Sequence, residues 1–154
     1  MNIVAIHFGA VAITVALLAA PASANAPAGR YTIGGGTVFD TKTKLTWQQV
    51  VSTTTYTWAD AKTYCASATL SAALGGSGWR LPTVKELQTI VDYSQTSNPL
   101  IDPTAFPATA LNYLWSASPW AGSSPPGAWT FIFNNTGTTF VDYDTNPNYV
   151  RCVR

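Results

Sequence analysis

Short β-type runs open the chain after residue 30. Arg30–Ile33 and Thr37–Asp40 are two such runs, separated by three glycines. A polar turn at residues 40–43 leads from the second run into Leu45–Trp47. Runs of this composition on either side of a polar turn are typical of a β-hairpin. We therefore expect the domain to begin with small antiparallel strands.

The apolar spacing then changes from two residues to three and four, which is the period of a helix. The resulting pattern predicts a helix from Thr57 to about Ser71. Thr57 is a good N-cap, and Asp60 three residues later imitates a capping box. The predicted core-facing positions of this helix are Trp58, Ala61, Cys65 and Ala68.

A second helical pattern runs from Val84 to about Tyr93. Thr83 and Glu86 form a full capping box at its start, so we interpret both residues as structural. Trp79 and Arg80 precede it and are interpreted in the same way. Arg80 stands between two apolar residues, so we expect a partly buried guanidinium with an acidic or carbonyl partner.

The remainder of the chain is a long loop followed by strands. Residues 94–127 are rich in Ser, Pro, Thr, Ala and Asn, and only Leu114–Ala117 has the pattern of a short strand. Strand patterns follow at 129–133, Thr138–Tyr143 and Tyr149–Arg154, with a turn at 134–137. Strands, two helices, a loop and strands in this order predict an α+β domain whose terminal strands meet.

The start of the chain has a different character. Phe8–Ala20 is an apolar run that is too short to span a bilayer and has the length of a signal-peptide core. Small residues follow it, which suits cleavage after Ala24 or after Ala26. We predict a signal peptide at 1–24, a linker at 25–29 and one domain at 30–154, secreted, periplasmic or held at the cell surface. The alternative is an uncleaved N-terminal anchor.

Composition narrows the partners of the mature chain. Its Lys and Arg total eight against seven Asp and Glu, which leaves a charge of +1. Nucleic acids and anionic membranes require clustered cations, so we expect neither as a partner, and no membrane span after cleavage. The two cysteines, Cys65 and Cys152, form an even pair, which in an exported protein indicates a disulfide. Two free buried thiols are the alternative.

The predicted mature chain contains few side chains of the types that carry out catalysis. The only histidine, His7, leaves with the signal peptide, so Ser–His and Cys–His catalysis are excluded by inventory. Glu86, the only Glu, is explained by capping. We therefore expect no enzymatic activity and no catalytic residue. One alternative stays open, a carboxylate pair for glycoside hydrolysis among Asp92, Asp102, Asp142 and Asp144.

Six segments, taken in order, resemble the Lcl C-terminal domain family, a set of exported bacterial domains. The most specific is Gly-Trp-Arg-Leu-Pro-Thr-x-x-Glu-Leu at 78–87. The others are Phe-Asp-x-x-Thr-x-Leu-x-Trp at 39–47, Thr-Trp-x-x-Ala-x-x-Tyr-Cys at 57–65, Ile-Asp-Pro-x-x-Phe at 101–106, Trp-Ser-x-Ser at 115–118 and Val-Arg-Cys-Val-Arg at 150–154.

The resemblance implies a C-type-lectin-like fold, with two helices packed on antiparallel strands and long loops on one side. It also implies a bridge from Cys65 in the helix to Cys152 in the last strand. The Arg-Leu-Pro-Thr segment is similar to formylglycine-generating enzymes, which share that fold. The family's named adhesin domain recognises sulfated glycans, so the resemblance implies a binding module for an extracellular glycan or a surface protein.

Two candidate sites follow from the side chains near the end of the chain. Oxygen-bearing residues at every second position, Asp142, Asp144 and Asn146, resemble the start of a calcium loop, although a polar turn between strands is the favoured explanation. No other cofactor is indicated. Sugars are held by aromatic faces together with amide and carboxylate groups. The predicted ligand-binding residues are Trp120, Asn134, Asn135, Asp142, Tyr143, Asp144, Asn146 and Asn148. We expect Trp115 and Trp129 to be core residues.

Overall fold

The computed structural model describes residues 27–109, 111–122 and 124–154. The predicted signal peptide at 1–24 and residues 25 and 26 lie outside the described residues. The described chain is α+β, as predicted. Its elements are β1 (Tyr31–Gly34), β2 (Thr37–Asp40), β3 (Thr46–Gln48), α1 (Trp58–Cys65), α2 (Ala68–Leu74), α3 (Val84–Thr89), β4 (Leu114–Trp120), β5 (Gly127–Ile132) and β6 (Thr138–Tyr143).

The strands form two antiparallel sheets of three strands each. The first has the order β1-β2-β3 and contains the hairpin predicted from the sequence, with Val38 opposite Trp47. The second has the order β4-β5-β6, and the predicted turn at 134–137 joins β5 to β6. The sequence predicts that the terminal strands close one sheet, but β1–β3 and β4–β6 form two separate sheets.

The last residues of the chain connect the N-terminal sheet to the helical part. Arg154 and Thr46 exchange both backbone hydrogen bonds, at 2.8 and 2.9 Å, and the Gln48 amide donates to the Cys152 carbonyl at 2.9 Å. Val153 also exchanges backbone hydrogen bonds with Arg80. The predicted contact between the two ends of the domain is therefore confirmed, although the C-terminal segment forms isolated bridges and not a regular strand.

The helices are shorter than predicted, and there are three in the described chain where two were expected. The predicted helix 57–71 begins at its Thr57 cap but is divided after Cys65, because the Ser67 side chain accepts a hydrogen bond from the Leu70 amide and caps α2. The apolar spacing continues across this break, so the sequence pattern did not indicate that the helix is divided. The second predicted helix ends at Thr89 and not at Tyr93, since the Asp92 amide donates to the Leu100 carbonyl. None of the helices in the described ranges is long and apolar enough to cross a membrane.

The buried side chains form two clusters. One surrounds Trp47, Phe106 and Phe131 between the first sheet, α3 and β5. The other contains Trp79 and Trp115 together with Cys65 and Cys152, whose sulfur atoms are bonded. The predicted disulfide is therefore present in the structure, and it lies fully buried in the core.

The capping box at the start of α3 is confirmed, and its Glu86 also pairs with the preceding Arg80. The Glu86 carboxylate accepts from the Thr83 amide at 2.7 Å and from the two terminal nitrogens of Arg80 at 2.6 and 2.8 Å. Arg80 thus has the acidic partner that was predicted, and its side chain is half exposed, at 47%. Its backbone pairs with Val153 in extended geometry, which turns Trp79 and Leu81 inward and the side chain between them outward.

We expect Glu86→Gln to flatten the acid dependence of stability. Hydrogen bonding to Arg80, opposed by burial and aided by the Thr83 amide, lowers the pKa of Glu86 from 4.5 to about 2. A depressed carboxyl pKa adds stability above pH 4.5 that is lost as the pH falls toward 2. Because Arg80 is half exposed, the size of this contribution is about 1 kcal/mol. Urea unfolding at pH 7 and pH 3 measures it, and parallel losses in both proteins would contradict the prediction.

Candidate functional site

The exposed aromatic surface of the second sheet is assembled across all three of its strands. The sequence placed Trp120 in a long loop after a strand ending at Ala117, but β4 continues to Trp120. There Trp120 is opposite Gly127 of β5, and Gly127 is opposite Tyr143 of β6. Side chains of directly opposed residues lie on one face of a sheet, so the two rings flank a position that has no side chain.

Glycine at position 127 is required by the close approach of the neighbouring strand. A Cβ atom there would lie 2.6 Å from the Asp142 carbonyl oxygen, which is closer than real contacts allow. Trp120 is 38% exposed and Tyr143 is 50% exposed, so both rings reach solvent. With Val141 and Asp142 the two rings line a shallow cavity of about 280 Å³. We call it the Trp120 cavity.

The Asp142 side chain lies on the opposite face of β6 from Tyr143, and the residues that follow hold it there in a fixed position. One carboxylate oxygen accepts from the Asn146 side-chain amide at 2.6 Å and from the Tyr143 backbone at 2.9 Å. The other oxygen accepts from the Asn148 side-chain amide at 2.8 Å. Three of the roughly four acceptor positions of this carboxylate are therefore occupied within the chain.

The structure shows the predicted calcium residues as a hydrogen-bonded polar turn. Nitrogen donors of Asn146 and Asn148 point at the Asp142 carboxylate, whereas a calcium ion would need oxygen atoms around a shared point. Asp144 contributes backbone contacts, its carbonyl accepting from the Trp58 amide at 2.9 Å. Across the described residues no group of three His, Cys, Asp or Glu side chains is placed to hold a metal ion. Calcium binding by this segment stays a prediction.

Two of the predicted ligand residues lie elsewhere. Asn134 and Asn135 are in the turn between β5 and β6, at the opposite end of the hairpin from Tyr143. Five residue steps along a strand correspond to roughly 17 Å, too far for one sugar to bridge. The Asn134 side chain accepts from the Thr136 amide at 3.3 Å and so stabilises the turn. The other six predicted residues share one end of the sheet.

The remaining aromatic and acidic predictions have local explanations in the structure. Trp115 is fully buried, as expected, but Trp129 is only partly buried. Asp102 accepts from the backbone of Thr104 and Ala105 at 2.8 and 3.0 Å, and Asp92 accepts from the Ser94 amide at 3.0 Å. These two carboxylates therefore stabilise turns.

A second group of aromatic residues adjoins the predicted set and was not singled out from the sequence. Tyr56 and Tyr64 stack with ring centres 4.8 Å apart and planes at 23°. They line a cavity of about 660 Å³ beside α1 and α2, which we call the Tyr56–Tyr64 cavity. Only the aromatic composition of residues 56–64 hinted at it, and the helical spacing of that segment directed attention to its buried face.

Comparison with known proteins gives a family and no named relative. The family model described as the Lcl C-terminal domain matches residues 36–154, which is most of the chain. The match spans β2 to the C-terminus and includes both cysteines and every residue of the Trp120 cavity. No curated protein sequence matches the chain.

Proposed function

Since the chain belongs to the Lcl C-terminal domain family, we propose that it is an exported recognition module that binds glycans at the Trp120 cavity. We also propose that its two sheets, three helices and buried helix-to-C-terminus bridge represent a C-type-lectin-like fold. The observation that carries the binding proposal is the pair of exposed rings on either side of Gly127. A sugar ring has an apolar C–H face, which suits stacking on a pair of exposed aromatic rings.

Charge supports an uncharged glycan over the sulfated class that the family resemblance implies. A sulfated ligand needs clustered cations. Of the eight basic residues, Arg151 is fully buried, Arg30 and Arg80 are paired with Asp40 and Glu86, and the other five are Lys42, Lys44, Lys62, Lys85 and Arg154. None of the eight is among the residues that line the Trp120 cavity.

Trp120→Ala is expected to weaken glycan binding at least about tenfold, because it removes one wall of the cavity and one stacking face. A glycan array, run with calcium and with a chelator, identifies the ligand, and calorimetry then measures both proteins. The control is Tyr93→Ala. Tyr93 is 72% exposed and lies near Gly137, at the far end of the β5–β6 hairpin.

Each outcome of this experiment has a defined meaning. Equal loss in both variants would indicate general destabilisation. A glycan that binds independently of Trp120 would contradict the site, and an array without any hit would contradict the function. In the last case a protein-binding or structural envelope role becomes the better explanation. Binding that is lost only when the chelator is present would show that it depends on a divalent cation, as the predicted calcium site requires.

Export is the second part of the proposal, and mass spectrometry of the secreted protein tests it. We expect a mature chain beginning at Asn25 or Pro27, with a mass two hydrogen atoms below that of the dithiol. Alkylation without reductant is expected to leave the mass unchanged, because Cys65 and Cys152 are bonded to each other and buried. A retained Met1, or two alkylated cysteines, would contradict this prediction.

A further inference from the structure

The outer edge of the second sheet is formed by β6, and this edge is open. β6 is the last strand in the order β4-β5-β6, and none of the isolated bridges of the described chain involves it. No residue of β6 is buried, whereas four of the six residues of β5 are. An unpaired edge strand presents backbone donors and acceptors with which another chain can pair.

The hydrogen bonds between β5 and β6 identify the residues of β6 that face outward. The Asp144 amide donates to the Pro126 carbonyl at 3.2 Å, and the Phe140 carbonyl accepts from the Thr130 hydroxyl at 3.3 Å. In an antiparallel ladder, residues that bond the neighbouring strand alternate with residues that do not. The residues of β6 that direct their backbone groups outward are therefore Thr139, Val141 and Tyr143.

The turn after β6 already uses the outward groups of Tyr143. Its amide donates to the Asp142 carboxylate at 2.9 Å, and its carbonyl accepts from the Asn146 amide at 2.9 Å. Within the described ranges, no other segment hydrogen-bonds to the outward backbone groups of Thr139 or Val141. The N–H and C=O groups of these two residues are therefore available to a partner strand.

The spacing of these groups makes β6 complementary to a second copy of itself. When the Phe140 residues of two antiparallel copies are opposite each other, Thr139 of each copy is opposite Val141 of the other. Every available donor and acceptor of the edge then has a partner. The two Phe140 side chains, each 41% exposed, meet in a non-hydrogen-bonded pair, where side chains approach most closely.

The charge pattern of β6 is compatible with this register. Its only charged residue, Asp142, would be opposite Thr138 of the other copy, so that no like charges meet. A register centred on Val141 would instead place Phe140 opposite Asp142 and would require the occupied groups of Tyr143. The strand contains no Pro or Lys, the residues that commonly protect an edge, and the net charge of +1 opposes association only weakly.

We infer that β6 is a self-association edge, through which two copies of the chain join their second sheets into one continuous sheet. The two-fold axis stands perpendicular to that sheet, so both Trp120 cavities open on the same face. Strands lie about 4.8 Å apart and residues advance about 3.4 Å, which separates the two cavities by about 30 Å. The pair is therefore bivalent, a consequence that rests on the proposed glycan-binding function.

Sedimentation velocity of the disulfide-bonded protein, without any glycan, tests the pairing. Between about 10 and 500 μM the weight-average mass is expected to rise up to about twofold, because an interface of one strand edge belongs to the weak class. Thr139→Pro is expected to abolish this rise, since it removes an outward N–H group and no bond to β5. Thr139→Val is the matched control, because it retains the N–H group. Neither variant changes a residue that lines the Trp120 cavity.

A pair of charged variants tests the register itself. Phe140→Glu and Phe140→Lys are each expected to remain monomeric, because like charges then lie opposite each other at the two-fold axis. An equimolar mixture of the two is expected to form a heterodimer. This rescue requires that position 140 of one copy is opposite position 140 of the other. Circular dichroism confirms that each variant is folded, and the charged pair decides the matter if Thr139→Pro does not fold.

Three results would overturn the inference. A protein that stays monomeric throughout would do so and would leave an extended peptide as the better partner for the edge. A dimer that persists in both Thr139→Pro and Phe140→Glu would use another surface. A mixture of the charged variants that stays monomeric would exclude the register.

Failure of the inference is distinguishable from failure of the proposed function, because the pairing is measured without glycan. An array without any hit would contradict the function and leave the self-association edge unaffected. On a surface coated with the glycan that binds, wild type is expected to dissociate at least about tenfold more slowly than Thr139→Pro, with equal affinity per site in calorimetry. Equal dissociation rates would overturn the bivalent arrangement.

Discussion

Removing the Cys65–Cys152 bridge is expected to lower the free energy of unfolding by about 4–5 kcal/mol. The bridge closes a loop of 87 residues, which is more than half of the chain. Without it the unfolded chain gains the conformational freedom of that loop, while the folded chain keeps most of its contacts. A domain of this size has a total stability of roughly 5–15 kcal/mol, so this loss is a large part of it.

The Cys65→Ala/Cys152→Ala double variant measures this contribution by guanidinium unfolding. Alanine is chosen because both positions are fully buried, and a serine hydroxyl there would add a separate desolvation cost. Wild-type protein unfolded in the presence of a reductant, with its thiols left unmodified, is the second arm, since it opens the same loop without a substitution. A double variant within about 1 kcal/mol of wild type would show that the bridge contributes little.

Arg151→Ala is expected to cost about 3 kcal/mol, the largest effect of any single charged side chain in the described structure. Arg151 is fully buried and donates to the Gln49 carbonyl at 2.9 Å and to the Thr109 hydroxyl at 2.7 Å. Its guanidinium also lies over the Phe106 ring, 4.7 Å from the centre. It therefore joins the C-terminal segment to the end of β3 and to the loop before β4.

The charge of Arg151 makes the size of this effect informative. Burial lowers the pKa of the guanidinium to about 9, so the group remains charged at neutral pH. Within the described residues it has no carboxylate partner, and its Nε atom has no hydrogen-bond acceptor. Truncation relieves this desolvation cost but leaves a cavity and an unpaired Gln49 carbonyl, while the Thr109 hydroxyl keeps its hydrogen bond to the Phe106 carbonyl.

Two further variants separate these contributions. Arg151→Met fills most of the space without the charge, and we expect it to lie between Arg151→Ala and wild type. Arg154→Ala is the matched control on the same segment, where an exposed arginine is expected to cost less than about 1 kcal/mol. Thermal and urea unfolding measure all three. An Arg151→Ala protein as stable as wild type would show that the buried charge offsets everything its hydrogen bonds contribute.

The sequence by itself determined the features that depend on neighbouring residues. The hairpin of β2 and β3, the Thr57 cap and the Thr83–Glu86 capping box were all predicted in place. Each rests on residues a few positions apart, whose geometry is fixed by the backbone itself. The disulfide was also predictable, because the sequence contains only two cysteines and they allow one pairing.

Tertiary structure decided the features that depend on distant partners. Nothing in the sequence distinguishes Arg151 from the other arginines and lysines. Only its contacts with Gln49, Phe106 and Thr109 reveal that it is buried. Trp120 became a strand residue because Gly127 pairs with it. The α1–α2 break was also missed, because the apolar spacing continues across Ser67.

The candidate site divides in the same way. Chain composition identified Trp120, Asp142 and Tyr143, because aromatic and acidic residues were concentrated near the end of the chain. Sheet register then excluded Asn134 and Asn135 and placed Trp120 and Tyr143 on one face. The local period of a sequence states which way a side chain faces along its own element. It contains no information on which remote segment will lie beside that element, and the packing of the whole chain decides that.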